Sequence, residues 1–151
     1  MAVMHDATIH PRLVNQLYTE AMLLADEARG YFDEGGRAER EALEPMVRVA
    51  FSCESLKVTT RLMHVIAWLL TQRAVAAGEM RAADACAPSR RLGEAPYSDP
   101  SALAAMPPRA RALIDGSIEL FRRAARLDAT LDASPPPSPA RDMIERLRGA
   151  F

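Results

Sequence analysis

The stretch from Pro45 to Ala77 contains no glycine and no proline after its first residue, and it constrains the fold more than any other part of the chain. Proline suits the first turn of a helix and breaks its interior, so Pro45 marks a start or a kink after a short helical turn over Arg37 to Leu43. Gly78 marks the stop, because glycine tolerates the backbone conformation a helix end requires. About 33 residues at 1.5 Å each make a rod of roughly 50 Å. A small domain is narrower than that. Either the two ends project, or they pack against something beyond two neighbouring helices.

Two further long helices flank this rod. Between Pro11 and about Phe32, Leu13, Leu17, Ala21, Leu24, Ala28 and Tyr31 recur at spacings of three and four, and Gly35 and Gly36 end the pattern. From Pro108 to about Asp132, Leu113, Ser117, Leu120, Ala124, Leu127 and Leu131 form a narrow seam suited to bundle packing, widened by Ile114 and Phe121. Between Glu79 and Pro108 the periodicity weakens. "MRAADACAPSRRLG" is limited by Pro88, and "EAPYSDPSALAAMPP" reads as a connection along the surface. After Ser134 the run "SPPPSP" reads as a stiff extended spacer. "ARDMIERLRGAF" then forms a short amphipathic tail with Met143, Ile144 and Leu147 on one face, Ser138 available as its cap and Pro139 in its first turn. The expected fold is all-α: three long antiparallel helices with a long central one and a short or mobile C-terminal tail. The 151 residues fit one domain, with an ordered core over about 11–132 and spacer and tail over 134–151.

Composition removes several functions. The net charge of −1 excludes a general electrostatic nucleic-acid binder. Charge is nevertheless uneven, with an acidic first helix (Glu20, Asp26, Glu27, Asp33, Glu34) and a basic last one (Arg109, Arg111, Arg122, Arg123, Arg126). These either face each other or face different partners. No aromatic residues interleave with the arginines to stack on bases, so nucleic acid is not the expected partner; a DNA-associated regulator using the basic last helix, or a small-molecule-sensing helical bundle, is the alternative reading. The N-terminus lacks the basic start and apolar run of a secretory signal. The longest uncharged run, Leu62 to Gln72, is far short of the roughly 20 apolar residues a spanning helix needs. Cys53 and Cys86 have no metal-site spacing; Cys53 reads as a small core residue, and a reducing cytoplasm is the simplest compartment.

Catalytic motifs are absent: no phosphate-binding glycine loop, no dinucleotide fingerprint, no nucleophile elbow and no H-E-x-x-H. Glu54 and His64, about 15 Å apart along a helix axis, cannot share a metal. His5 and His10 fall in a segment expected to be mobile. No enzyme, cofactor or metal is therefore expected. On the central helix, Glu54, Lys57, Arg61, His64 and Trp68 form one stripe, beside a broad apolar face of Cys53, Leu56, Met63, Ile66, Ala67 and Leu70. A second apolar flank holds Val58, Leu62, Val65 and Leu69. The stripe is either the solvated edge of the helix, with long stems over apolar neighbours, or a protein-binding strip anchored by Trp and Arg. Thr59 and Thr60 can bond back to the preceding turn. The candidate protein-binding residues are Glu54, Lys57, Arg61, His64 and Trp68, together with Met143, Ile144 and Leu147 on the tail.

The segment "ESLKVTTRLMHVIAWLLTQRAVAAGEM" (Glu54 to Met80) resembles the signature of the RcdA family, the alphaproteobacterial regulators of CtrA degradation. The resemblance extends upstream through "LYTEAMLLADEARGYFDEGGRAEREAL" (Leu17 to Leu43). It rests on Glu54, Ser55, Thr59, Thr60, Arg61, Leu62, Met63, Trp68, Leu69, Leu70, Gln72 and Arg73. Lys57 stands where arginine is expected, which keeps the charge and loses the planar fork. The resemblance implies a homodimeric three-helix bundle acting without catalytic residues. Its implied role is as an adaptor of the ClpXP protease in cell-cycle-regulated proteolysis, tethering other adaptors and cargo to the ClpX unfoldase.

Overall fold

In a computed structural model of the chain, residues 11–131 and 139–150 are described; the proline-rich spacer, the cap at Ser138, His5 and His10 lie outside them. Helix α1 (Pro11–Gly30) widens into a π-type turn over Tyr31–Gly35 and is followed by the short α2 (Arg37–Glu41). The long helix α3 spans Pro45–Ala76, with proline in its first turn. Gly78, at φ +76°, ends it in the left-handed conformation that glycine alone adopts freely. Two short helices, α4 (Ala82–Ala85) and α5 (Pro100–Ala104), punctuate the connection to α6 (Pro108–Thr130). Asp99 caps α5 by accepting a hydrogen bond from the Ser101 N–H at 2.9 Å, which holds the Asp99 carboxyl below its ordinary pKa. Helix α7 covers Pro139–Ala150. Among the described residues there is no strand.

The direction of each helix follows from contacts at its two ends. Helix α1 is antiparallel to α3: Arg73 lies 4.6 Å from the Tyr18 ring at one end, and Phe32 packs on Phe51 at 5.3 Å at the other. Helix α6 is antiparallel to α1, since Arg123 reaches Glu20 at 2.6 Å while Arg109 lies 5.2 Å from the Tyr31 ring. Yet Arg61 meets Ser117 and Trp68 meets Asp128, so positions rise together along α3 and α6. These two helices are parallel. The expectation of three antiparallel helices is corrected here, and the connection is the reason. A short link would have returned α6 antiparallel to α3. Residues 77–107 instead run back along the bundle, from Arg91 beside Asp128 to Pro96 and Ser98 beside Arg61.

That connection is a strap built into the core, not a surface link. Leu92 and Met106 join the same buried cluster as Leu17 and Ala21 of α1, Val58, Leu62, Val65 and Leu69 of α3, and Leu113, Ile114, Phe121 and Ala124 of α6. The long helix therefore has three neighbours over its length, which accounts for a rod longer than a three-helix core requires. Gly36 is fixed by close approach: a Cβ there would stand 2.7 Å from a Tyr31 ring carbon. Burial raises the Tyr31 phenol above its ordinary pKa, and its hydrogen bond to Glu39 adds to the effect.

Candidate protein-binding face

The central helix buries the stripe of Glu54, Arg61 and Trp68 together with one apolar flank, and leaves its other apolar face open. Glu54 and Trp68 are each 2% exposed and Arg61 only 1%, so the stripe is not a solvated edge. These three residues, seven apart, occupy equivalent positions on every second turn and face α6 and the strap. The Arg61 guanidinium donates to Ser117 Oγ of α6 at 3.3 Å, to the Pro96 carbonyl at 3.0 Å and to Ser98 Oγ of the strap. Ser98 Oγ donates in turn to Glu54 Oε2 at 2.9 Å. Burial pushes the Arg61 guanidinium below its usual pKa, and the Glu54 carboxylate opposes that shift. Two turns further on, Trp68 Nε1 donates to Asp128 Oδ1 at 2.9 Å, and the same carboxylate accepts from Arg91 Nε of the strap at 2.7 Å. Arg61 and Asp128 are thus two clamps, each joining α3, the strap and α6.

The remaining stripe residues are placed differently. Lys57 is half-buried and lies 3.6 Å from Glu54 Oε2. His64 is exposed and opens on a cleft of about 380 Å³ whose other side is formed by Ser89, Arg90 and Arg91. The structure therefore brings Glu54, Lys57, Arg61 and Trp68 into an internal network and leaves His64 outside it. Glu54, Arg61 and Trp68 are not accessible on the surface of the chain, so a strip formed by them is withdrawn. Thr59 and Thr60 do bond back, to the carbonyls of Ser55 at 3.1 Å and Leu56 at 2.9 Å.

The apolar face of α3 takes the outer position instead. Leu56 is 68% exposed and Met63 64%, and Met46, Val49 and Leu70 stand open beside them. Cys53, read from sequence as a core residue, is exposed as well. Val49, Leu56, Met63 and Leu70 recur every seven residues, with Met46, Cys53, Thr60 and Ala67 in the adjoining heptad position. This is the a/d seam of a helix that expects another helix against it. These five large side chains form an exposed apolar stripe of the kind that marks a contact surface. Sequence patterning identified Leu56, Met63 and Leu70 as one apolar face and left open what covers it; only Cys53 was placed in the core. The signal that could have found them is the heptad itself, which continues unbroken past the length a three-helix core can cover.

On α6 four of the five arginines are engaged within the chain, and Arg111 is exposed. Arg123 pairs with Glu20, Arg122 and Arg126 lie within 4 Å of Glu119, and Arg109 stacks near Tyr31. The acidic and basic helices face each other at Glu20 and Arg123. On α7, Met143, Ile144 and Leu147 are all exposed. Among the described residues no group of three or more His, Cys, Asp or Glu side chains could hold a metal ion, and no helix is long and apolar enough to cross a membrane.

Together these features define an all-helical scaffold whose central helix is locked from within by buried polar clamps and carries an open apolar seam outside. The chain belongs to the RcdA-related family DUF1465, described as a protein of unknown function, whose model matches residues 5–151. It is similar to RcdA of Caulobacter crescentus CB15, known from a crystal structure, with 33% identity over 79% of this chain and 90% of that one and a TM-score of 0.65. None of the curated proteins matches it.

Proposed function

We propose that the chain is a non-enzymatic, cytoplasmic adaptor in regulated proteolysis. In this role it joins cargo or a further adaptor to the ClpX component of ClpXP through the outer seam of α3. One observation carries the reading: a heptad of exposed apolar side chains on a helix that buries Glu54 and Arg61 on its inner side. Such a surface is costly to leave in water and serves contact with protein. The similarity to RcdA, a regulator of CtrA degradation, supports the proteolytic setting. The same seam is long enough to serve a homodimer, because about 24 residues from Met46 to Leu70 give a contact line of roughly 36 Å. A DNA-associated reading of α6 loses its support where Arg122, Arg123 and Arg126 are paired with carboxylates.

The test is co-purification of the tagged full chain with ClpX and a response-regulator-type partner, beside the double variant Leu56→Asp/Met63→Asp. Enrichment by the wild type and its loss in the variant are expected. No enrichment of either protein by the wild type removes the proteolysis reading. Light scattering addresses the homodimer separately, and a monomer at high concentration refutes it.

A further inference from the structure

Two apolar surfaces on this chain lack a partner, and they complement each other. The first is a groove of about 430 Å³ between α1 and α3, lined by Ala25, Ala28 and Phe32 on one side and Leu62, Met63 and Ile66 on the other. The second is α7, whose Met143, Ile144 and Leu147 share one helical face and are exposed throughout. We propose that the groove is the docking site of the chain's own α7, which closes over it as a latch.

Four observations select this occupant. A twelve-residue helix is too short to persist alone in water, so α7 gains most of its stability from a surface it can cover. Size and pattern agree, because Met143 and Leu147 at i, i+4 and Ile144 and Leu147 at i, i+3 make one apolar face of the kind a helix lays into a groove. Charge agrees too. The α1 side of the groove carries Asp33, with Asp26 on the same edge by helical spacing, against the single Arg29. Helix α7 brings Arg146 and Arg148 against Glu145. Reach is sufficient. The Asp128 clamp puts the end of α6 near the level of Trp68, so Ile66 lies within about 3 Å of that level along the axis. Eight residue steps from Leu131 to Pro139 span up to about 28 Å, enough to pass one helix at the usual interaxial distance of about 10 Å. A tether of this length keeps α7 at roughly millimolar effective concentration, so a weak intrinsic contact is enough.

Leu56 and Met63 line this groove and also belong to the outer seam. A docked α7 therefore covers part of the surface assigned above to partners, and the two compete. That consequence rests on the adaptor reading; the contact between α7 and the groove does not.

The experiment compares the full wild-type chain with the full chain carrying Ile144→Asp/Leu147→Asp. Both substitutions fall on exposed positions outside the buried cluster, so the bundle is retained. Hydrogen exchange over residues 25–33 and 55–66 is expected to be at least threefold slower in the wild type. A labelled peptide of residues 139–150, read by fluorescence anisotropy, is expected to bind the variant at least tenfold more tightly than the wild type. Adding Asp26→Lys/Asp33→Lys to the variant should weaken that binding. A peptide that binds neither chain, or both equally, overturns the proposal. Wild-type protection that grows with protein concentration overturns the intramolecular form and assigns the groove to the α7 of a second copy.

Discussion

Replacing Arg61 with methionine tests the internal clamp directly. Methionine keeps the unbranched apolar stem but stops short of the guanidinium, so the change removes that group with its hydrogen bonds and leaves a small void in its place. Three acceptors lose their donor at once: Ser117 Oγ, the Pro96 carbonyl and Ser98 Oγ. A hydrogen bond to a charged group contributes about 1.5–3 kcal/mol, but withdrawing a guanidinium from water costs several kcal/mol and offsets much of that sum. Loss of one member of a buried charged network typically destabilises by about 3–5 kcal/mol, and Glu54 is left buried with Lys57 as its remaining cation. Against a typical total of about 5–15 kcal/mol, that is a large fraction. For a chain of this size it corresponds to a drop of roughly 10–15 °C in Tm. Urea unfolding followed by Trp68 fluorescence measures the loss, and hydrogen exchange over residues 91–99 locates it in the strap. Combining Arg61→Met with Glu54→Gln should recover part of the loss, because it removes the charge left behind. A single variant that loses less than about 1 kcal/mol refutes the clamp. So does a larger loss in which the strap exchanges no faster relative to α6 than before.

Asp128→Ala removes the acceptor shared by Trp68 and Arg91, and a loss of about 2–3 kcal/mol with a red shift of the single tryptophan's emission is expected. Gly36→Ala drives a methyl group against the Tyr31 ring and should cost about 1–3 kcal/mol in a urea titration. Tyr31 adds an alkaline limit. Its pKa is raised in the fold, so the native state holds its proton more tightly than the unfolded chain does. Stability should therefore be unaffected by this group below about pH 10, the unfolded value, and fall as pH rises above it; Tyr31→Phe should flatten that limb. Leu56→Asp alone should change stability by no more than about 0.5 kcal/mol, because the side chain already stands in water.

Helix boundaries were largely legible because proline and glycine punctuate them. The starts at Pro11, Pro45, Pro108 and Pro139 and the stop at Gly78 all stand where backbone chemistry puts them. The seams of α1 and α6 were legible for the same reason that they are amphipathic: each has one apolar side, and it is buried. Helix α3 was not. Nearly all of its faces are apolar, so periodicity offers no preferred orientation, and the charged residues are the natural candidates for solvent. What reversed that choice lies more than 30 residues away. Pro96 supplies a carbonyl, Ser98 and Ser117 supply hydroxyls, and Asp128 supplies a carboxylate. A buried charge is stable only beside such partners, and no local window contains them. The parallel course of α6 was hidden by the same segment, since a weakly patterned connection gives no sign that it spans the bundle.

This inversion decides how loss-of-function variants should be read. Three of the residues that carry the family resemblance, Glu54, Arg61 and Trp68, lie among the most deeply buried side chains of the described residues. A substitution there loosens the strap and lowers the folded fraction, so any partner binding falls with it whether or not the residue touches a partner. Substitutions at Leu56, Met63 or Leu70 act in the opposite way: they leave the core as it is and change only what the seam can hold. Partner binding measured at equal folded fraction separates the two. The expected result is that Arg61→Met recovers wild-type affinity once normalised to folded protein, whereas Leu56→Asp/Met63→Asp does not. If normalisation leaves Arg61→Met deficient, the strap itself contributes to the interface, because its position is what that arginine sets.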